Sequence, residues 1–270
     1  MPHLKKTMKQ QLTIVLLTLI GLTTFGQNSD EIADNLNKQS KEFLSSGEIE
    51  KAIPLLKQSA ELGNAEAQYN LGYCYQAGAG VEQNQQKAIE WYLKSADLGF
   101  NDALYQMMMA YGNGNGVEQD FEKAFSYALK CAENDDGTCM FNLIGCYKDG
   151  MGTEKDLDKM LEWAIRLGKL DNPENLAKSG YITSARLELA YMYRDGNEIE
   201  QDNFKSYLWF LIYNEFKKDF SVFQQEQIIK EIQELENQLT ADKKEKAQIE
   251  AEKILERPLR NIENLYKVDM

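Results

Sequence analysis

The chain has 270 residues, of which 43% are hydrophobic and 27% charged, and its formal net charge is −13. This composition is too apolar for an intrinsically disordered chain, and only four prolines leave room for long helices. An acidic surface repels phosphate backbones and anionic lipid head groups, which excludes nucleic acid and membrane surfaces as expected partners. It favours a basic partner, or simply solubility.

Residues 1–26 have the pattern of a secretory signal peptide: a segment with three lysines precedes an uncharged apolar run over 12–25. That run of about 14 residues is shorter than the roughly 20 that a membrane-spanning helix needs. We expect cleavage after Gly26, a mature chain that begins at Gln27 without a membrane span, and a secreted or periplasmic location. A retained anchor and a start at Met8 are the alternatives.

His3 is the only histidine, and it lies in the predicted signal peptide. Cleavage would leave no histidine and change the net charge from −13 to −16, because the segment carries three lysines and no acidic residue. A chain without histidine has no Ser–His–Asp triad, no Cys–His pair and no histidine-based zinc site. The sequence therefore predicts no enzyme, no metal site and no cofactor.

A unit of 36 residues repeats from residue 65, and its last copy follows a ten-residue insertion. We predict that residues 171–183, at the insertion, form a loop. Three residue types coincide in four successive copies: Tyr75, Tyr111, Tyr147 and Tyr193; Gly78, Gly114, Gly150 and Gly196; and Lys87, Lys123, Lys159 and Lys205.

Each copy predicts two helices, here called helix A and helix B. Small and apolar residues recur at helical spacing in both halves; in the first full copy they are Ala67, Leu71, Gly72 and Tyr75, then Ala88, Trp91, Tyr92, Ser95 and Ala96. Gly78 and Gly80 predict the loop between the helices, and Asn84 can cap helix B. One position of helix B holds every tryptophan, which is more typical of a core than of a binding site: Trp91, Trp163 and Trp209.

A degenerate copy precedes the repeats, with helix A over 31–44 and helix B over 48–64. After the repeats, residues 220–239 and 240–255 predict two amphipathic helices that cap the last copy; a coiled-coil surface for a partner is the alternative. The domain boundaries are therefore a signal peptide over 1–26, a repeat array over 27–219, and a helical cap and tail over 220–270.

The segment AEAQYNLGYCYQAGAGVEQNQQKAIEWYLKSADLGFN resembles the Sel-one-like repeats, relatives of the tetratricopeptide repeat, and the resemblance covers roughly residues 48–218. It implies an all-α fold, a right-handed α-solenoid of about five helix-turn-helix repeats whose concave groove holds a partner. Met108 and Ile144 replace Gly72, and Glu198 replaces Gly80. These departures leave the helix spacing in their copies open.

By resemblance to tetratricopeptide arrays, Asn70 stands where an asparagine often holds a peptide backbone. Its equivalents are Gln106, Asn142 and Glu188, and the neighbouring groove positions are Tyr69, Tyr73, Tyr105, Met109, Phe141 and Tyr191. Amides can satisfy peptide N–H and C=O groups together, while aromatic and methionine side chains add adaptable contact area. Ordinary packing between successive A helices is the alternative for each residue.

We therefore expect an exported scaffold or adaptor that binds a protein or peptide of unknown identity. Some secreted, cysteine-rich relatives are described as β-lactamases or penicillin-binding proteins, which often use a serine with a lysine three residues later. No serine of this chain has that neighbour. A structural part of an envelope assembly is the third alternative.

Cys131 ends a predicted helix B and Cys139 begins the next helix A, with a five-residue turn between them. Such a turn can bring their Cα atoms within the range of a disulfide, and export would place the pair in an oxidising compartment. The segment CAENDDGTC also resembles the bridged junctions of the cysteine-rich relatives. We expect this disulfide, with Cys74 and Cys146 free and buried; four reduced thiols are the alternative.

Overall fold

A computed structural model describes residues 29–173, 175–197, 199–219 and 221–268, so the predicted signal peptide lies outside the described residues. The described residues form α-helices and no strand, which confirms the all-α class. The α-helices are α1 (29–45), α2 (Ile49–Glu61), α3 (Ala65–Ala77), α4 (Gln85–Asp97), α5 (Asn101–Asn113), α6 (Phe121–Glu133), α7 (Gly137–Asp149), α8 (Leu157–Lys169), α9 (Leu176–Asp195), α10 (Asn203–Asn214), α11 (Val222–Glu236) and α12 (Ala241–Ile254).

The chain divides into two compact units, the first ending at Gln119 and the second beginning at Asp120. In the first unit, α2 packs on α3, α3 on α4 and α4 on α5; in the second, each helix from α6 to α10 packs on the next. Odd-numbered helices up to α9 are the predicted A helices, and even-numbered helices up to α10 are the B helices. Contacts between sequence neighbours are those of a helical repeat.

The loop from helix A to helix B depends on two glycines in the left-handed region. Gly78 has φ 72° and ends α3, and Gly80 has φ 69°. A Cβ on Gly80 would lie 2.4 Å from the Ile49 side chain of α2. In the α7–α8 loop, a Cβ on Gly152 would lie 1.9 Å from the carbonyl oxygen of Phe121. The second glycine thus permits both the positive φ and the contact with the preceding B helix.

Side-chain caps explain why lysines and tyrosines coincide in the repeat. The N-cap side chains of the B helices accept the backbone N–H three residues later, and the N-caps are Asn84, Asp120, Asp156 and Asp202. The residue that donates is in each case the repeated lysine. The ammonium group of this lysine lies 5.1–5.4 Å from the ring centre of the repeated tyrosine of the same copy. The pairs are Lys87–Tyr75, Lys159–Tyr147 and Lys205–Tyr193.

Two facing positions, one on helix A and one on helix B, exchange a large and a small residue between copies, which keeps the helices closely packed. A Cβ on Gly72 would lie 2.7 Å from the Tyr92 ring, so the glycine lets this ring pack directly on α3. The third copy has Ile144 and Ala164 at these two positions, and both lie at the hydrophobic core of the second unit. The swap roughly conserves the volume between the helices. Met108, the other departure, is also buried.

The tryptophans differ in their degree of burial. Trp209 is 3% exposed, which confirms the core prediction for this residue. Trp91 and Trp163 are only half-buried. The Lys94 nitrogen lies 3.9 Å from the Trp91 ring centre, and the Arg166 guanidinium carbon lies 4.8 Å from that of Trp163. The Trp91 ring packs against the edge of the first unit's core, and each of the two rings has a cation over its face.

The prediction of a loop over 171–183 is wrong for most of that segment. α9 begins at Leu176, so the insertion lengthens the last helix A at its N-terminal end. The amide nitrogen of Asn172 donates to the hydroxyl groups of Ser179 and Thr183, at 2.8 Å each. These bonds hold the short remaining loop against the first turns of α9.

Arg186 of α9 is fully buried, and it satisfies the carbonyl groups at the C-terminal end of α8. Its guanidinium donates to the carbonyl oxygens of Gly168 (2.8 Å) and Leu170 (2.6 Å) and to the side-chain oxygen of Asn172, and it lies 4.2 Å from the Phe216 ring centre. Leu170 is extended. The three earlier junctions from helix B to helix A instead use a residue with positive φ, namely Gly63, Gly99 and Asp135.

The two C-terminal helices cover α10. Every residue from Ser206 to Asn214 is buried. The core of the second unit includes Ile228, Ile232 and Leu235 of α11 and Ala247 and Ala251 of α12. This packing is that of a cap on the last repeat, as the helical spacing predicts.

Two carboxylates fasten the cap and tail to α10 and the segment after it. Glu215, whose side chain is 2% exposed, accepts from Arg257 at 2.7 Å and from two backbone N–H groups of the tail. Glu236 of α11 accepts from the Tyr207 hydroxyl at 2.6 Å and from that of Tyr266. Burial, and then the neighbouring Glu236 carboxylate, raise the pKa of Tyr207.

We predict that Gly152→Ala destabilises the protein more than Gly150→Ala. Gly150 has nearly the same φ (74° against 71°), but its Cβ would lie no closer than 3.4 Å to another group. Both changes carry the cost of a left-handed alanine, about 1–2 kcal/mol. Only Gly152→Ala also forces the Phe121 backbone away. Urea unfolding followed by circular dichroism measures both, and equal losses would contradict the close-approach argument.

We further predict that the free energy of unfolding falls as the pH rises above about 10, the ordinary tyrosine pKa. The folded state holds the Tyr207 proton above that pH and the unfolded chain releases it, so stability is complete below pH 10 and declines above it. Tyr207→Phe should lower stability at pH 7 by about 1 kcal/mol through the lost hydrogen bond, and should flatten the alkaline decline. Urea titrations between pH 7 and 11.5 test this; an unchanged slope in the variant would contradict it.

Candidate functional site

Helices α3 and α5 carry six of the predicted groove residues on the side away from the core of the first unit. The buried side of α3 consists of Ala67, Gln68, Leu71, Gly72 and Cys74. On the other side Tyr73 is 55% exposed, and Met109 of α5 is 37% exposed. The remaining predicted residues here are half-buried: Tyr69, Asn70, Tyr105 and Gln106.

Tyr69 connects this surface to the packing beneath it. Its ring lies 5.6 Å from that of Tyr92 and 5.4 Å from that of Phe100. The Gln106 side chain lies near its hydroxyl. Burial raises the pKa of Tyr69, and the nearby Asp102 carboxylate raises it further, because both disfavour the phenolate. Tyr69 is therefore both a packing residue and one edge of the exposed surface.

In the same unit, a cluster of polar side chains connects α1 and α3. Glu66 accepts a hydrogen bond from the Lys41 ammonium at 2.6 Å and one from the Asn37 amide at 2.7 Å. The helices border a cleft of about 500 Å³ here. The sequence analysis did not predict this cluster or Asp102. The repeat offers a signal for both, because Glu66 and Asp102 are the second residues of α3 and α5 and lie 36 positions apart.

In the second unit the predicted residues of α7 and α9 have mostly local partners. The Phe141 ring lies 5.0 Å from that of Tyr181 in α9. The Asn142 amide donates to the Thr138 carbonyl of its own helix at 2.8 Å. Glu188 is exposed.

Tyr191, the last predicted groove residue, contacts the C-terminal cap. Its ring meets Phe210 edge to face at 5.6 Å, and the Arg194 guanidinium lies 4.6 Å from its ring centre. Glu231 of α11, which pairs with Arg194 at 2.9 Å, lies near the Tyr191 hydroxyl. Burial first, and the neighbouring Glu231 carboxylate second, raise the pKa of Tyr191. The ring of Tyr191 is thus already in contact with other groups of the second unit.

The structure therefore brings six predicted residues together on α3 and α5, and places the other four on α7 and α9. Binding by any of them remains a prediction. The surface of α3 and α5 is the more open of the two.

Cys131 and Cys139 are joined by a disulfide in the structure, with their Cα atoms 5.7 Å apart. This is the expected pair, at the junction of α6 and α7. Asp136 caps α7 by accepting from the backbone N–H of Cys139, and Arg166 donates to Asp135, the residue with positive φ in this turn. Asp136 and the two sulfurs lie close together, but disulfide sulfurs do not serve as thiolate ligands for a metal.

The other two cysteines are free thiols. Cys74 is buried as expected, whereas Cys146 is only half-buried, so that part of the expectation is wrong. Cys146 lies at a helix face that the core covers only partly. Burial raises the pKa of both thiols, which lowers their reactivity at neutral pH.

Within the part of the chain that the structure describes, no helix combines the length and hydropathy that crossing a membrane requires.

Consecutive helix pairs with one repeated loop define a helical-repeat protein of the α-solenoid class. The Sel1 repeat family matches more than half of the chain, at residues 47–64, 65–100, 102–136, 139–172 and 183–212. The chain therefore belongs to the Sel1 repeat family.

Several solved structures resemble this chain, among them these two. One is a Sel1 repeat protein from Oxalobacter formigenes, with 23% identity and a TM-score of 0.55 over 68% of this chain and 74% of that one. The other is c5321, a protective antigen present in uropathogenic Escherichia coli strains that displays an SLR fold, with 23% identity and a TM-score of 0.37 over 80% of this chain and 50% of that one. The first similarity supports the fold alone. No curated protein matches the sequence.

Proposed function

We propose that this Sel1 repeat protein binds a segment of another protein along the exposed side of α3 and α5. The observation that carries the proposal is Asn70. Its half-buried amide hydrogen-bonds to no other residue in the described chain, and it lies on the helix side that exposes Tyr73. An amide that can donate and accept, beside an exposed aromatic ring, suits an extended peptide backbone.

The family supports this class of function, because Sel1 repeats are generally protein–protein interaction modules. Proteins of this kind are typically non-enzymatic scaffolds, in keeping with a chain whose only histidine is His3. The β-lactamase or penicillin-binding alternative gains no support from the comparisons. The proposed role is therefore binding, without catalysis or a cofactor.

We also propose that the protein acts after export. The signal-like residues 1–26 support this location, and a Cys131–Cys139 disulfide is a bond that persists in oxidising compartments. An exported scaffold would meet its partner in the periplasm or outside the cell.

Site-specific crosslinking tests the binding surface. A photo-crosslinking amino acid at position 73 should capture a partner in the native host. The matched control is position 98, because Leu98 is 57% exposed at the end of α4. Adducts are detected by gel shift and identified by mass spectrometry.

The proposal requires an adduct from position 73 that is absent from position 98, and that weakens when Asn70 is replaced by alanine. Loss of one backbone-binding amide should lower affinity by about 1–3 kcal/mol. Adducts from position 98 alone would place the binding surface elsewhere.

Mass spectrometry of the protein from its native host tests export. The expected N-terminus lies near Gln27, and peptides from unreduced protein should show Cys131 linked to Cys139. Closing this short loop should add about 2–3 kcal/mol of stability on the chain-entropy model, so Cys131→Ser with Cys139→Ser should unfold at lower urea. An intact Met1 or Met8 terminus with two reduced thiols would contradict export.

A further inference from the structure

Helices α1, α3 and α5 carry a carboxylate-binding arrangement twice, and the two copies differ in one respect. In the first copy, Glu66 is the second residue of α3 and faces α1. Asn37 and Lys41, four residues apart on α1, both donate to its carboxylate, at 2.7 Å and 2.6 Å. The chain itself thus supplies an amide and a cation to this carboxylate.

In the second copy, Asp102 is the second residue of α5 and lies near α3. Ser59 donates to the Ala33 carbonyl and Ser95, its equivalent, to the Ala65 carbonyl, 32 residues after Ala33, so Tyr69 and Tyr73 stand on α3 where Asn37 and Lys41 stand on α1. The Tyr69 hydroxyl is close enough to Asp102 for the carboxylate to affect it, and Tyr73 lies near Tyr69. Asp102 itself is exposed. Tyr73 therefore takes the structural place of Lys41 without its charge.

Among the residues that the structure describes, no cation completes the second copy. Neither α3 nor α5 contains a lysine or arginine. Among all residues that the structure describes, none forms an ion pair with Asp102, whereas Glu66 pairs with Lys41. The net charge of −13 also favours a positively charged ligand over a negatively charged one.

We propose that Asp102 and Tyr73 together receive an arginine or lysine side chain of the partner, in the way that Glu66 receives Lys41. The partner is then a protein with an exposed basic segment. This inference rests on the proposed function, because it uses the same surface of α3 and α5.

The chemistry of the two side chains suits a cation. A carboxylate forms charge-assisted hydrogen bonds with a guanidinium or ammonium group, and the face of a tyrosine ring attracts the same charge. Tyr73 offers that face, since its side chain is 55% exposed. Arginine should bind better than lysine, because a planar guanidinium can stack on the ring while its N–H groups reach the carboxylate.

Fluorescence anisotropy with labelled peptides tests the inference on the purified protein. The probes are 12-residue peptides of alternating glycine with arginine, lysine or glutamate, in about 0.1 M salt, where charges more than about 10 Å away are largely screened. The arginine peptide should bind best and the glutamate peptide should not bind. Asp102→Asn should weaken arginine-peptide binding about fivefold or more.

The matched control is Glu90→Gln, which makes the same change of net charge on an exposed position of α4. It should leave the affinity within about twofold, because a distant surface charge is screened. A second variant, Tyr73→Lys, puts a cation where Lys41 stands in the first copy. It should abolish arginine-peptide binding while circular dichroism shows an intact fold.

Equal weakening by Asp102→Asn and Glu90→Gln, or binding retained in Tyr73→Lys, would overturn the inference. The outcome is separable from that of the proposed function. A partner crosslinked at position 73, together with peptide binding that ignores Asp102, would leave the proposed function standing and remove this inference. Peptide binding that depends on Asp102, without any partner crosslinked at position 73, would support the cation site and contradict the proposed function.

Discussion

The contact of the loops after α3, α5 and α7 with the preceding B helix is the constraint on which the repeated architecture depends. At Gly80 and Gly152 the loop backbone lies where a Cβ would overlap the neighbouring helix, at 2.4 Å and 1.9 Å. Only a loop of fixed length brings a glycine to that point. The N-cap and the lysine that stacks on tyrosine follow this glycine at constant sequence distances, so the contact fixes the loop part of the 36-residue unit.

Much of the fold could be predicted from the sequence, because helical spacing, loop glycines and N-cap residues are local signals. The insertion could not. Arg186 of the lengthened helix donates to carbonyls at the end of α8, and no local pattern marks an arginine as buried. Likewise, the repeated lysine and tyrosine are visible as coincident letters, while their stacking requires the loop geometry.

The candidate surface was harder to predict than the fold. Resemblance pointed to residues on the A helices, but it did not show which polar groups the chain already uses. Tyr191 contacts Phe210 and lies near Glu231, 40 residues later, while the Asn70 amide hydrogen-bonds to no other residue of the described chain. The difference between Glu66 and Asp102 is also tertiary, since Lys41 lies 25 residues before the carboxylate it neutralises. Contacts between residues so far apart in the chain cannot be recognised from the repeat pattern of a single sequence.

Arg186 has a consequence for how the protein melts. Repeat arrays commonly lose their terminal units one at a time, since each unit contacts only its neighbours. A guanidinium group stays protonated at any physiological pH. Its burial is therefore stable only while the carbonyl groups around it accept its hydrogen bonds. Those acceptors come from the end of α8 and the following loop. The α7–α8 and α9–α10 helix pairs should consequently unfold as one cooperative block.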